Sequence, residues 1–315
     1  MKSKASAPGK VILFGEHFVV YGTDAILCTI DKRVTVIAEL IKKNEIAITS
    51  NIGTLTLKPN IPITEILSPL KPFYFLANKF LQMQEQKNGI KIEIESDIPT
   101  GAGLGSSSAC CVAGAAAISK LFVTKSREEI LDLAIEAEKT IFQNTSGADC
   151  TVCTYGGIIK YNKNKQFKKI EHNSSFDLVI ANSKIKHSTE SVVSKVRKFR
   201  EENEDEFLRL CREESKLIED VLRLLKDKNL KELGKKINQN QEYLETIGIS
   251  NDKLRDMIKT GKQNSFGTKI TGAGRGGCIF ALTDKSNQES TMNSFKEKNY
   301  ECFSSKIDFG GVHTF

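Results

Sequence analysis

No apolar stretch in the 315 residues approaches the ~20 consecutive positions that a membrane-spanning helix needs. The first residues also lack the long apolar segment and small-residue cleavage site of a secretory signal, because Met1 to Lys10 passes at once into Val11-Ile12-Leu13-Phe14. A cytoplasmic, unprocessed chain with no membrane partner is therefore expected. Regular cysteine spacing is missing as well. Cys110, Cys111, Cys150 and Cys153, four of the eight cysteines, sit beside small or apolar neighbours, which fits buried reduced thiols rather than a disulfide framework. Cys150-Thr-Val-Cys153 has the spacing of a redox or zinc pair, but no second pair and no nearby histidine completes a tetrahedral site. Asn144-Thr-Ser146 and Asn173-Ser-Ser175 are formal glycosylation sequons that matter only in a secreted protein.

What is present has the balance of a soluble enzyme. The length exceeds one ordinary domain, so two are expected, each with its own core. Forty-six basic residues against 39 acidic give a formal charge of +7. That charge admits a nucleic-acid partner, but it is spread through mixed stretches such as Lys195 to Lys236. No aromatic-basic interleaving accompanies it, which favours solvated helix faces plus an anionic ligand and no nucleic acid.

Along the chain, apolar runs at 10–14, 26–30 and 34–40, punctuated by Gly15, Gly22 and Gly53, predict an N-terminal sheet. After Pro69 and Pro72, helical spacing links Phe73, Leu76, Ala77, Phe80 and Leu81; Ile90, Ile92 and Ile94 then alternate with charged residues as in a half-buried strand. A small-residue helix is expected from Ser106 to Leu121, followed by one opened by the capping box Ser126-Arg-Glu-Glu129. Thr151 to Tyr155 reads as a strand, as does 176–182, and 188–261 reads as almost wholly helical. Strands return at 276–283 and 300–307. No internal repeat is found, the class is α+β, and the boundary is placed near 175 to 185, giving domains 1–180 and 181–315.

Four stretches carry chemistry. Pro99-Thr-Gly-Ala-Gly-Leu-Gly-Ser-Ser-Ser108 places three alternating glycines between a strand and a helix that opens with three serines. Glycines permit positive φ and close backbone approach, and the helix start adds partial positive charge, so the run has the makings of an anion nest. A tight serine-capped connection is the plainer alternative. The run is not a P-loop, having no Gly-Lys-Ser or Gly-Lys-Thr, and Ser106 breaks the dinucleotide pattern. A second cluster, Thr271-Gly-Ala-Gly-Arg-Gly-Gly277, is either a ligand loop or a close packing turn. Asp149, after the turn-forming Asn144-Thr-Ser-Gly-Ala, is a base or a cap, and a lone Lys10 at a strand start is more often a surface residue.

Taken together, Ala7-Pro-Gly-Lys-Val-Ile-Leu-Phe-Gly-Glu-His17, Pro99 to Ser108, Asn144 to Asp149 and Thr271 to Cys278 resemble, in order and spacing, the motifs of the GHMP kinases. The resemblance extends through nearly the whole chain. The glycine-serine run names only the superfamily, whereas Gly-Glu-His followed by Phe-Val-Val-Tyr-Gly22 looks like the branch that phosphorylates mevalonate. It implies an N-terminal ATP-binding domain like ribosomal protein S5 domain 2 and a ferredoxin-like C-terminal domain, meeting at the active site. Transferred by position, the loop of Gly101, Ala102, Gly103, Leu104, Gly105, Ser106 and Ser107 would wrap the ATP phosphates, with Ser96 near the nucleotide. Ser107 and Glu138 would ligate Mg²⁺, Asp149 would be the base, and Lys10 would lie beside it. Glu16, His17 and Thr189 would face mevalonate. Arg275 departs from the pattern, since the family's last motif usually has glycine there, and it either contacts phosphate or points to solvent. The resemblance leaves a monomer and a homodimer equally open. Phosphomevalonate, homoserine and galactose kinases share the nest, a related decarboxylase belongs to another reaction class, and some superfamily members are sensors without turnover; the last are disfavoured by the presence of Lys10, Glu138 and Asp149.

Overall fold

The computed structural model describes residues 1–85, 88–99, 101–164, 167–171, 176–186 and 188–315; the Asn173–Ser175 sequon, Thr100 and His187 lie outside the described residues. Two sheets divide the strands. The first holds β1 (Lys2–Phe14), β2 (Ala25–Ile41), β3 (Ile46–Ser50), β4 (Gly53–Leu57), β5 (Gly89–Ser96), β6 (Ile158–Tyr161), β7 (Lys168–Lys169) and β12 (His313–Thr314). Strand β2 contains both of the apolar runs expected as separate strands. They are continuous because the ladder absorbs the polar Asp31-Lys32 as a bulge: Pro8 pairs with Arg33 and Gly9 with Ile30. The bend gives β2 two partners, β6 along Ala25–Cys28 and β5 along Val34–Ile41.

One face of this sheet is covered by α2 (Ser106–Lys120), which packs on β1 and β2, with α1 (Lys71–Leu81), α3 (Arg127–Lys139) and α4 (Ala148–Tyr155) around it. Small side chains let α2 sit close; a Cβ on Gly114 would stand 2.8 Å from Phe73 Cε1. Helix α1 accepts Pro72 in its first turn, where no intrahelical amide bond is lost, and buries Phe73, Leu76, Ala77, Phe80 and Leu81 as the spacing predicts. The capping box forms at α3, Ser126 accepting from the Glu129 amide and Glu129 from the Ser126 amide.

Residues 151–155 are helical, not the expected strand. Gly147 (φ 76°) and Gly156 (φ 70°) punctuate both ends, the Thr151 hydroxyl donates to the Gly147 carbonyl at 2.8 Å, and Cys150 and Cys153 are buried. Burial nearly all round the helix, from Ala148 to Thr154, and glycine ends override the strand preference of Thr151 and Val152. The cysteines are free thiols, and burial pushes those of Cys150 and Cys153 well up.

The second sheet is antiparallel, in the order β11 (Glu301–Ser305), β8 (Asp177–Asn182), β10 (Cys278–Thr283), β9 (Gly267–Ile270). Between β8 and β9 run α5 (Thr189–Glu202), α6 (Glu204–Asp227), α7 (Leu230–Thr246) and α8 (Asp252–Gly261); α9 (Gln288–Glu297) joins β10 to β11. Strand, helix, two strands, helix, strand in this spatial order is the ferredoxin-like arrangement, so the α+β class expected from sequence is the class observed. Helix α6 reaches the first lobe: Phe207 lies 5.8 Å from Phe18 and 4.9 Å from Tyr21, ring to ring. No helix among the described residues is long and apolar enough to cross a membrane.

Helix α7 lies on β9 backbone to backbone, through Gly234 and Gly267. A Cβ on Gly234 would fall on the Phe266 carbonyl, and one on Gly267 on the Gly234 carbonyl. Gly234→Ala is expected to destabilise by about 1–3 kcal/mol through overpacking. Urea denaturation checks this, and an unchanged midpoint would refute the close approach.

Candidate active site

The site is built on the end of β1. There the Lys10 amide donates to the Leu104 carbonyl at 2.9 Å, tying the strand to the glycine loop. Gly101, Gly103 and Gly105 all adopt left-handed φ (69°, 77° and 72°), while Ala102 and Leu104 between them are buried anchors. Alternation of this kind turns successive amides to one side, and the first turn of α2, from Ser106, adds amides that a helix leaves without internal partners.

Lys10 crosses this loop. Its Cγ stands 2.6 Å from where a Cβ on Gly105 would be, so only glycine leaves room for the stem. Beyond the stem, Nζ donates to the Gly103 carbonyl at 3.2 Å and pairs with Asp149 Oδ2 at 3.1 Å. The lysine side chain is 4% exposed and the aspartate 34%, so the cation is fixed in the wall and the carboxylate stands at the opening. Asp149 owes its place to the first turn of α4, behind left-handed Gly147.

Glu138 of α3 is buried beside them. Its two oxygens accept from the hydroxyls of Ser108 and Thr145, and burial raises its pKa, an effect the Asp149 charge reinforces. Ser107 is one residue earlier on α2, half-buried, and forms no hydrogen bond to Glu138 among the described residues. No cluster of three His, Cys, Asp or Glu suited to a metal occurs among the described residues. A carboxylate with serine and threonine hydroxyls next to a glycine loop of this geometry is nevertheless a hard-oxygen setting whose residues fit Mg²⁺.

The second glycine loop faces the first: a Cβ on Gly272 would lie 3.5 Å from the Gly103 carbonyl. Thr271 Oγ1 accepts from the Ile12 amide at 2.9 Å, and His17 Nε2 meets the Ala273 carbonyl at 2.8 Å. A carbonyl only accepts, so Nε2 carries the proton; burial lowers the His17 pKa. Arg275 takes φ 56°, the left-handed geometry expected to be unusual for arginine, and its amide and Nη1 donate to the Ile249 and Gly248 carbonyls. The loop does require positive φ there, and local carbonyls hold the side chain.

Glu16 is buried in an ion pair with Lys269 of β9, near the buried Glu214 of α6. Two sequence-selected residues stand apart from these contacts. The Ser96 hydroxyl is engaged locally, accepting from the Ile98 amide at 3.1 Å. Thr189 is exposed at the start of α5 and shares no hydrogen bond with Lys10, Glu16, His17 or Asp149 among the described residues. The sequence reading did not select Ser108, Thr145, Lys269 or Glu214. A lysine in the otherwise uncharged strand Gly267–Ile270 was the one available signal among them.

Comparison with known proteins gives this geometry its class. The GHMP kinases N terminal domain matches residues 72–157 and the GHMP kinases C terminal domain residues 219–301. The chain belongs to the GHMP kinase family. It is 36% identical to the mevalonate kinase of Pyrococcus furiosus, over 92% of this chain and 91% of that one. The crystal structure of the Methanococcus jannaschii mevalonate kinase superposes with a TM-score of 0.86 at 30% identity, covering 97% and 98% of the two chains. That of the L. major mevalonate kinase in complex with R-mevalonate does so at 0.83 and 26%, covering 97% and 95%.

Glu214 makes the site's surroundings sensitive to pH. Burial first, then the nearby Glu16 charge, push its carboxyl up to about 7, against the lowering effects of Lys269 and the Asn240 amide. A carboxyl whose folded pKa is raised contributes stability that is complete below the unfolded value and is lost as pH rises to the folded one. Glu214→Gln, which cannot ionise, is therefore expected to gain stability relative to wild type between about pH 4.5 and 7, by roughly 3 kcal/mol in full. Urea denaturation of both proteins at pH 5 and pH 8 checks the sign; a constant difference would refute it.

Proposed function

We propose that the protein is a mevalonate kinase, transferring the γ-phosphoryl group of ATP to the 5-hydroxyl of mevalonate to give 5-phosphomevalonate and ADP. The observation that carries the kinase chemistry is the Lys10–Asp149 pair at 3.1 Å, seated on the glycine loop through the Gly103 carbonyl. The choice of mevalonate is supported by relatives named mevalonate kinase that are 36%, 33% and 31% identical across nearly the whole chain.

In this reading Gly101, Ala102, Gly103, Leu104, Gly105, Ser106 and Ser107 cradle the ATP phosphates through backbone amides, with Ser96 beside the nucleotide. Ser107 and Glu138 hold Mg²⁺, which when bound neutralises charge on the nucleotide phosphates. Ser108 and Thr145 orient the Glu138 carboxylate. Glu16, His17 and Thr189 receive mevalonate. Asp149 accepts the proton from the 5-hydroxyl, and Lys10 holds that carboxylate in place and stabilises the oxygens of the moving phosphoryl group. Phosphoryl transfer passes through a loose transition state, so alignment and charge neutralisation supply most of the rate and the base acts late. Residues 1–180 act as the ATP-binding domain and 181–315 as its partner, in the cytoplasm, as monomer or homodimer, with neither nucleic acid nor membrane as partner.

An ADP-coupled assay with Mg·ATP against mevalonate, 5-phosphomevalonate, homoserine and galactose, with product mass detection, tests the substrate. Mevalonate-dependent ADP and 5-phosphomevalonate are expected; turnover of another acceptor instead would overturn the substrate assignment. Asp149→Asn is expected to cut kcat by at least about 100-fold while ATP affinity changes less than about threefold. Near-normal turnover would remove Asp149 as the base.

A further inference from the structure

Behind the corner that carries Glu16 and His17 lies a group of buried charges that the phosphoryl-transfer machinery does not use. Lys269 is 0% exposed, and its ammonium meets Glu16 Oε1 in front and lies 5.5 Å from the centre of the Phe280 ring. Glu214 of α6 is also fully buried and accepts from the Asn240 amide of α7 at 2.6 Å. Glu16 Oε2 has no partner among the described residues. Lys269 is also the first rung of a ladder. Residues 269, 271 and 273, at the end of β9 and in the turn that follows it, each meet the first motif: Lys269 holds Glu16, Thr271 the backbone of Ile12, and the Ala273 carbonyl the ring of His17.

We propose, resting on the mevalonate kinase reading above, that Lys269 is a positioning residue for the acceptor: it holds the Glu16 carboxylate, and with it the Gly15–His17 corner, across the seam between the two lobes without touching substrate. The corner needs such a hold. Gly15 and His17 both sit at left-handed φ (93° and 63°), a conformation that histidine keeps only when its surroundings impose it. Without the ammonium, Glu16 would be a buried carboxylate facing a second one at Glu214. It would take up a proton and release the corner. Because Lys269 shares no hydrogen bond or ion pair with Lys10 or the glycine loop among the described residues, the nucleotide half of the site should be little affected by its loss.

A double-mutant cycle tests this. Wild type, Lys269→Met, Glu16→Gln and the pair are compared by KM for mevalonate, KM for ATP, kcat and Tm. Lys269→Met is expected to raise the mevalonate KM about tenfold and the ATP KM less than about twofold. In the Glu16→Gln background it should change the mevalonate KM less than about twofold, because it acts through Glu16. Additive effects, or a lowered Tm with both KM values unchanged, would overturn the assignment and leave Lys269 a packing residue. If Lys269→Met does not fold, Lys269→Met/Glu214→Gln, which removes one charge of each sign, replaces it, with Glu214→Gln as its reference. A wild type that binds ATP but does not turn mevalonate over would overturn the functional reading and this assignment together, whereas additivity in an active wild type overturns this assignment alone.

Discussion

Everything at the site depends on one steric fact: the side chain of Lys10 runs through the space that a side chain at position 105 would fill. The lysine leaves β1 pointing at the loop, is caught by the Leu104 carbonyl at its own amide, and passes over Gly105 to reach Gly103 and Asp149. Positive φ at three alternating glycines serves two ends at once. It turns successive amides to one side of the loop, and it leaves room for a four-carbon stem to cross. With the stem buried, the ammonium has little rotamer freedom left to lose, so its pairing with Asp149 is preorganised before any substrate arrives.

The other half of the cleft is fixed by contacts between lobes rather than within one. Thr271 bonds both the amide and the carbonyl of Ile12, and His17 reaches Ala273, so the two glycine loops are brought face to face by residues flanking them. A buried ion pair such as Glu16–Lys269 contributes little net stability, since desolvation of two charges offsets most of their attraction. What it does supply is direction: a carboxylate held by one ammonium in an apolar setting has one orientation, and the neighbouring corner inherits it.

Much of this was legible in the chain. The buried face of α1, the capping box of α3 and the helical block after residue 188 follow from spacing alone, because each is a local rule with a local cause. The strand expectation at 151–155 failed where tertiary burial and flanking glycines outweighed β-branched propensity. Asp31 and Lys32 lie between two apolar runs that pattern reads as separate strands, because a bulge leaves two polar residues without a partner on β1 while pairing resumes on either side, and nothing local distinguishes the two cases. At the site, residue types were readable but partners were not. Three consecutive serines open α2, and only the rotation of the helix decides that Ser108 is the one on Glu138. Arg275 at φ 56° shows the converse: a position can require left-handed backbone without carrying glycine, when neighbouring carbonyls hold the amide and the guanidinium.

The charge of the chain points the same way. Forty-six lysines and arginines invite an account in terms of a polyanionic partner. Many of those on the second lobe's helices are instead spent on exposed pairs, such as Arg209 with Glu206 and Glu213 or Lys235 with Glu232, each worth little in water. Lys10 and Lys269, by contrast, are buried, and each is paired with a carboxylate: the part-exposed Asp149 for Lys10 and the buried Glu16 for Lys269. Low surrounding dielectric makes a fixed charge act strongly on the groups beside it, so burial, and not abundance, sets these two cations apart from the rest. A count of basic residues therefore says almost nothing about this site. Two inward-pointing lysines on strands, one beside a glycine loop and one two residues before another, say most of it.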